Sequence, residues 1–153
     1  MVDDMAVCAF VSFRLGLTDG VSVVAGHWQR AVESMGFDTV TVAGEGPVDR
    51  TVAGLELAAA NPPDLDELRA ALADADLIVV ENLCTIPRNL PAARAVAEMC
   101  AGRPTVMHHH DPPWQRAHFA HITELPIEDP AWRHVTINDL TRDQFHDLSL
   151  IHI

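Results

Sequence analysis

Apolar residues in this chain gather in short blocks, unbroken or nearly so at 5–12 and 77–80 and more mixed at 39–43, 104–108 and 134–137. Unbroken blocks of this length, without alternation of polar and apolar positions, indicate strands buried on both faces. The stretches between them carry a different period. Val24, Trp28, Ala31 and Met35 recur at helical spacing after a start at Ser22, and Gly36 suits the left-handed residue that follows a last turn. Asp64, with Glu67 three residues on, opens a helix bearing Leu65, Leu68 and Leu72. Asn89 caps another, with Pro91 in its first turn, Val96, Met99 and Cys100 on its apolar face and Gly102 at its end. Asn138 or Asp139 begins a final helix. A short strand over 52–57, a short helix over 113–120 and a Pro- and acid-punctuated linker over 124–130 complete the expected order.

Strands alternating with helices predict an α/β chain: a Rossmann-like three-layer domain whose mostly parallel sheet is covered on both faces. Its 153 residues suffice for one domain with a core of its own. Residues 1–147 are expected to form that domain and 148–153 a tail, foreign to it or truncated. No apolar run approaches the roughly 20 residues of a membrane span. The acidic start lacks the basic leader of a secretory signal, so the expected location is cytoplasmic.

The formal charge is −12, from 22 acidic and 10 basic residues, which disfavours general binding to nucleic acid. Every basic residue is Arg, and Lys and Tyr are both absent. A Walker P-loop needs its lysine and Schiff-base chemistry an amine, so neither lies in this segment. Three cysteines without a C-x-x-C pair are expected as buried free thiols.

In parallel sheets ligands bind beyond the carboxyl ends of the strands. The loops expected there, 12–20, 44–47, 81–88, 108–116 and 138–141, also hold the unusual residues. Gly16, Asp19, Gly20 and Ser22 lie between the first strand and the first helix. Glycine there lets backbone N–H groups approach a diphosphate or sugar, while a capped turn explains the same residues equally well. The spacing is not G-x-G-x-x-G, so a nicotinamide dinucleotide is disfavoured. His108, His109, His110, Asp111, Trp114 and Arg116 crowd the end of another strand. Neighbouring side chains on a strand alternate faces, so His109 points away from His108 and His110. Hydrogen bonds from His110 and Asp111 to sugar hydroxyls and stacking of Trp114 on a sugar face fit this loop. A metal centre is the rival reading, with His118, His121 and His134 as further ligands, but adjacent histidines rarely converge on one ion. Glu81 and Asn82 follow a third strand, and a carboxylate there either meets a ligand or pairs with a neighbouring Arg.

Four segments together carry a resemblance: VSFRLGLTDGVS over 11–22, VENLCTIPRNLP over 80–91, MHHHDPPWQR over 107–116 and HVTINDLTR over 134–142. In that order the chain resembles the N-terminal domain of retaining, family-four-like glycosyltransferases of actinobacterial type. The resemblance implies the N-terminal half of a GT-B fold, with a nucleotide-diphosphate sugar held as substrate between two Rossmann-like domains. It implies hexosyltransferase-like transfer to an acceptor small molecule, glycan or lipid, with no cofactor or metal. On this chain it assigns the donor phosphate and sugar loop to Gly16, Asp19, Gly20 and Ser22, and catalytic contacts to His110 and Asp111. Glu81, Asn82, His109, Trp114 and Arg116 become acceptor or sugar contacts. The basic pair and the E-x7-E-type motif that hold the nucleotide in the family's second domain are not in this sequence, so the chain by itself is expected to be inactive. A non-catalytic Rossmann or flavodoxin-like small-ligand module, and a metal-dependent hydrolase built on the histidines, are the alternatives.

Overall fold

The computed structural model describes residues 4–148, so the tail expected over 148–153 lies, beyond its first residue, outside the described residues. Six strands, β1 (Val7–Arg14), β2 (Asp38–Glu45), β3 (Arg50–Thr51), β4 (Leu77–Glu81), β5 (Thr105–His109) and β6 (Trp132–Thr136), form one sheet. Every pairing is parallel and the spatial order is β3-β2-β1-β4-β5-β6. The helices are α1 (Gly20–Ser34), α2 (Leu65–Ala71), α3 (Leu90–Cys100) and α4 (Asp139–Asp147). This is the Rossmann-like α/β architecture the strand and helix pattern predicts, and the sheet is parallel throughout.

The two faces of the sheet carry separate cores. On one face Cys8, Phe10, Val79 and Ala43 pack with Leu15, Ala25 and Val32, and Trp28 of α1 closes over them. On the other, Val11, Ile78, Val80 and Met107 pack under Leu68 and Leu72 of the α2 region and Ala92, Val96 and Cys100 of α3. Burying one such large aliphatic or aromatic side chain contributes about 1.5–3 kcal/mol. Strands buried on both sides explain why the blocks of β1 and β4 show no alternation. All three cysteines are buried and free, as expected. Among the described residues no helix is long and apolar enough to cross a membrane.

Three local expectations need correction. Helix α1 starts at Gly20, two residues earlier than its first apolar position suggests, because Asp19 is the cap: its side chain accepts from the Ser22 N–H, and the Ser22 hydroxyl donates to it. The strand expected over 52–57 is absent, and pairing stops at Thr51. Gly54 has φ 95°, and a Cβ there would lie 2.4 Å from the Pro63 nitrogen, so this segment turns under the 62–63 loop. Residues 113–120 form only one 3-10 turn, Pro113–Gln115, because Arg116 leaves the helical region at φ −123°, ψ 112°. Asp64, Asn89 and Asn138 cap α2, α3 and α4 as expected. Gly36 is left-handed, with φ 92°.

Candidate functional site

The sheet order reverses between β1 and β4, so the chain leaving β1 and the chain leaving β4 diverge and open a crevice at their carboxyl ends. A cavity of about 190 Å³ lies there, lined by Ser12, Arg14, Asp19, Val21, Asn82 and Arg88 among others. Two of the segments that carry the sequence resemblance therefore share one cleft. Arg14 sits 3.5 Å from Asp19. Burial pushes the Asp19 carboxyl up, but the Ser22 hydrogen bonds and the Arg14 charge outweigh it and hold it below its ordinary value. Arg88 is exposed and makes no ion pair among the described residues. Neither arginine stands out in the sequence by type; what marks them is position, Arg14 closing β1 and Arg88 just ahead of the α3 cap.

The glycines of the first loop do different work. Gly16 has φ 74°, and a Cβ there would lie 2.8 Å from Pro47 Cγ and 2.9 Å from the Pro47 carbonyl oxygen. Its conformation and close packing explain it without a ligand. Gly20 begins α1 outside the left-handed region, and a Cβ would meet nothing within 4 Å. Space at Gly20 is open, so its lack of a side chain answers to no neighbour in the fold.

Asn82 joins the ends of β4 and β5. Its φ is 62°, a left-handed conformation that asparagine tolerates better than most residues. The side-chain oxygen accepts the N–H groups of His110 and Asp111, at 3.1 and 3.0 Å, and the amide donates to Asp111 Oδ2 at 3.0 Å. The other Asp111 oxygen pairs with Arg116. Asn82, Asp111 and Arg116 thus form one connected rim beside the crevice.

Beneath that rim the strands present Glu81, His108 and His110 to the α1 face. Glu81 is the register partner of His108 across β4 and β5, and two residues further His110 returns to the same side. Glu81 is fully buried. Its Oε2 lies 3.0 Å from His108 Nδ1 and 3.0 Å from His110 Nε2. His108 also stacks against Trp28, with ring centroids 4.5 Å apart. Burial raises the Glu81 carboxyl, but hydrogen bonds and charge from the two rings overcome it, and the group sits below its ordinary value. Glu81 is thus placed as the histidines' partner inside the fold, not on the crevice surface where the sequence reading put it as a sugar contact. His108, absent from that reading's site, is part of the cluster.

His109 points to the opposite face, as the alternation of a strand requires. It is fully buried, 2.6 Å from Thr85 Oγ1 through Nδ1 and 2.8 Å from His134 Nδ1 through Nε2. Phe145 of α4 packs on its ring. Both ring nitrogens are engaged inside the fold and none faces the crevice, so the geometry gives His109 a packing role in place of the expected contact. Trp114 turns to α4 as well: its Nε1 donates to Gln144 Oε1 at 2.9 Å, and its ring meets Phe145. With Ile122, Leu125, Pro126, Gln144 and Leu148 it lines an apolar cavity of about 510 Å³. That cavity is larger than the crevice but is lined by none of Arg14, Asp19, Asn82 and Arg88.

Of the expected site residues, the structure therefore places Asp19 and Asn82 in the crevice wall, with Ser22 bonded to Asp19, His110 and Asp111 bonded to Asn82 and Arg116 paired with Asp111. Comparison with protein-family models, with curated proteins and with solved structures gave no match to this chain.

Proposed function

We propose that this chain is the acceptor-side domain of a retaining glycosyltransferase that moves a sugar from a nucleotide-diphosphate sugar to an acceptor hydroxyl. The observation that carries the reading is the crevice at the β1–β4 switch. It is lined by the 11–22 and 80–91 segments, and Asn82 ties the 107–116 segment to it. Three segments quoted for the resemblance are far apart in sequence and adjoin one opening.

The chemistry of the lining suits a polyhydroxylated, partly anionic ligand. Asp111 and Asn82 offer a carboxylate and an amide in a fixed relation, and the Asp111–Arg116 pair gives donor and acceptor side by side. Arg14 and Arg88 supply positive charge at the crevice wall of an otherwise acidic protein. In this reading Asp111 meets the sugar hydroxyls. His110, tied by its backbone to Asn82 and by its ring to Glu81, holds the rim in place. The open space at Gly20 lets the start of α1 come close to the ligand.

Saturation-transfer NMR on the purified chain tests this, using UDP-glucose, GDP-mannose and a set of free hexoses and polyols. At least one compound is expected to receive saturation on its sugar-ring protons, and Gly20→Val to erase the transfer while the chain stays folded. No transfer to any member of the set, or transfer unchanged in the variant, contradicts the proposal.

A further inference from the structure

Glu81, His108 and His110 form a buried cluster that gathers three metal-ligating side chains at one point. Each residue offers one ligand atom, and the three atoms lie within 4.8 Å of one another. Two of the separations, from Glu81 Oε2 to His108 Nδ1 and to His110 Nε2, are 3.0 Å. Around a tetrahedral zinc ion with bonds of about 2.0–2.2 Å, neighbouring ligand atoms stand about 3.3 Å apart. Small shifts of the two rings would bring the ligand atoms to that spacing.

We propose that Glu81, His108 and His110 bind a divalent transition-metal ion of the zinc class, linking the ends of β4 and β5 under the crevice. Three features support it. The ligands sit on two hydrogen-bonded strands, with Glu81 in register with His108, so the framework is set by the sheet before any ion arrives. The donor set, two imidazoles and one carboxylate, matches that of known three-ligand zinc centres and leaves a fourth position for water. The site is also interior: the side chains of Glu81, His108 and His110 are 0%, 4% and 9% exposed. Clusters of surface acids are common without any ion, but a buried carboxylate needs a compensating partner. At present imidazole N–H groups supply it. A bound dication takes their place between the rings and the carboxylate, each ring moving its hydrogen to the far nitrogen or releasing it. The inference is independent of the glycosyltransferase reading, and either can fail alone.

The test uses the chain freed of any affinity tag, titrated with zinc chloride by calorimetry and with cobalt(II) by visible absorption. The expected result is one ion per chain, with cobalt bands of four-coordinate intensity. Glu81→Gln and His110→Ala should each weaken binding by more than the ~10–100-fold that loss of an outer-shell partner costs. Replacing the exposed His118 and His121 by Ala should leave it unchanged. Histidine ring NMR signals of the unmodified chain decide the matter even where a variant does not fold: zinc should move those of His108 and His110 and spare those of His118 and His121. Absence of saturable binding, binding that survives His110→Ala, or shifts confined to the exposed histidines overturns the assignment.

Discussion

Asn82 concentrates the argument at the residue scale. It holds a left-handed backbone, φ 62°, while its side chain makes three hydrogen bonds across the β4–β5 gap. Two substitutions separate these roles. Asn82→Gly and Asn82→Ala both lose the side-chain bonds and leave the N–H groups of His110 and Asp111 without that acceptor, but only alanine also bears the strain of positive φ. Asn82→Ala is therefore expected to be less stable than Asn82→Gly by about 1 kcal/mol in urea unfolding; equal stabilities would show that backbone strain here is negligible. The sequence made Asn82 and Asp111 visible, because polar residues directly after apolar strands stand out. It left the partnership between them invisible, since that depends on which strands lie side by side. Glu81 shows the same limit. Its place at a strand end was legible, but its inward direction follows from the β4–β5 register that sets it opposite His108.

At the scale of the element, β5 and β6 are joined on one face by a buried histidine pair packed under α4. Burial lowers the basicity of His109 first, and charge on His134, His108 and His110 lowers it further, so it lies well below its ordinary value of 6.5. A histidine whose folded pKa is depressed stays neutral when folded and takes up a proton when unfolded. The unfolded chain then binds more protons once the pH is below about 6.5, and stability falls as the pH drops from there toward the folded value. The depressed Glu81 acts with the same sign, but only below its ordinary 4.5, so it does not enter the upper window. Between about pH 7.5 and about pH 5.5 the unfolding free energy from urea titration is expected to fall, by up to about 1.4 kcal/mol per pH unit once His109 is protonated only in the unfolded chain. A free energy that stays level or rises over that range contradicts this description of His109. Strand alternation alone sets His109 apart from its neighbours, and that much was readable from the sequence. Its pairing with His134 was not, because the order of β5 and β6 in the sheet is a tertiary fact. The same distinction explains the strand expected over 52–57 and the helix expected over 113–120: Gly54 packs against Pro63 in one case and the backbone turns extended at Arg116 in the other.

For the molecule as a whole, the all-parallel order β3-β2-β1-β4-β5-β6 determines where function can sit. It places one reversal at the centre of the sheet, and the polar loops collect at its carboxyl edge. The architecture was legible because apolar blocks alternate with helical periods along the whole chain. The crevice lining was legible in part, through Asp19 and Asn82, while Arg14 and Arg88 became meaningful only once β1 and β4 were neighbours. The apolar cavity between Trp114 and Leu148 offers a competing place for a ligand, being larger and less polar. The central claim is that ligands meet this chain at the β1–β4 crevice, and backbone amide NMR with free hexoses, polyols, UDP-glucose and GDP-mannose added in turn to the chain tests it most directly. The account predicts shifts concentrated at Arg14, Gly20, Val21, Asn82, Arg88 and Asp111. Shifts centred instead on Ile122, Leu125, Gln144 and Leu148, or no shifts at all, would contradict it.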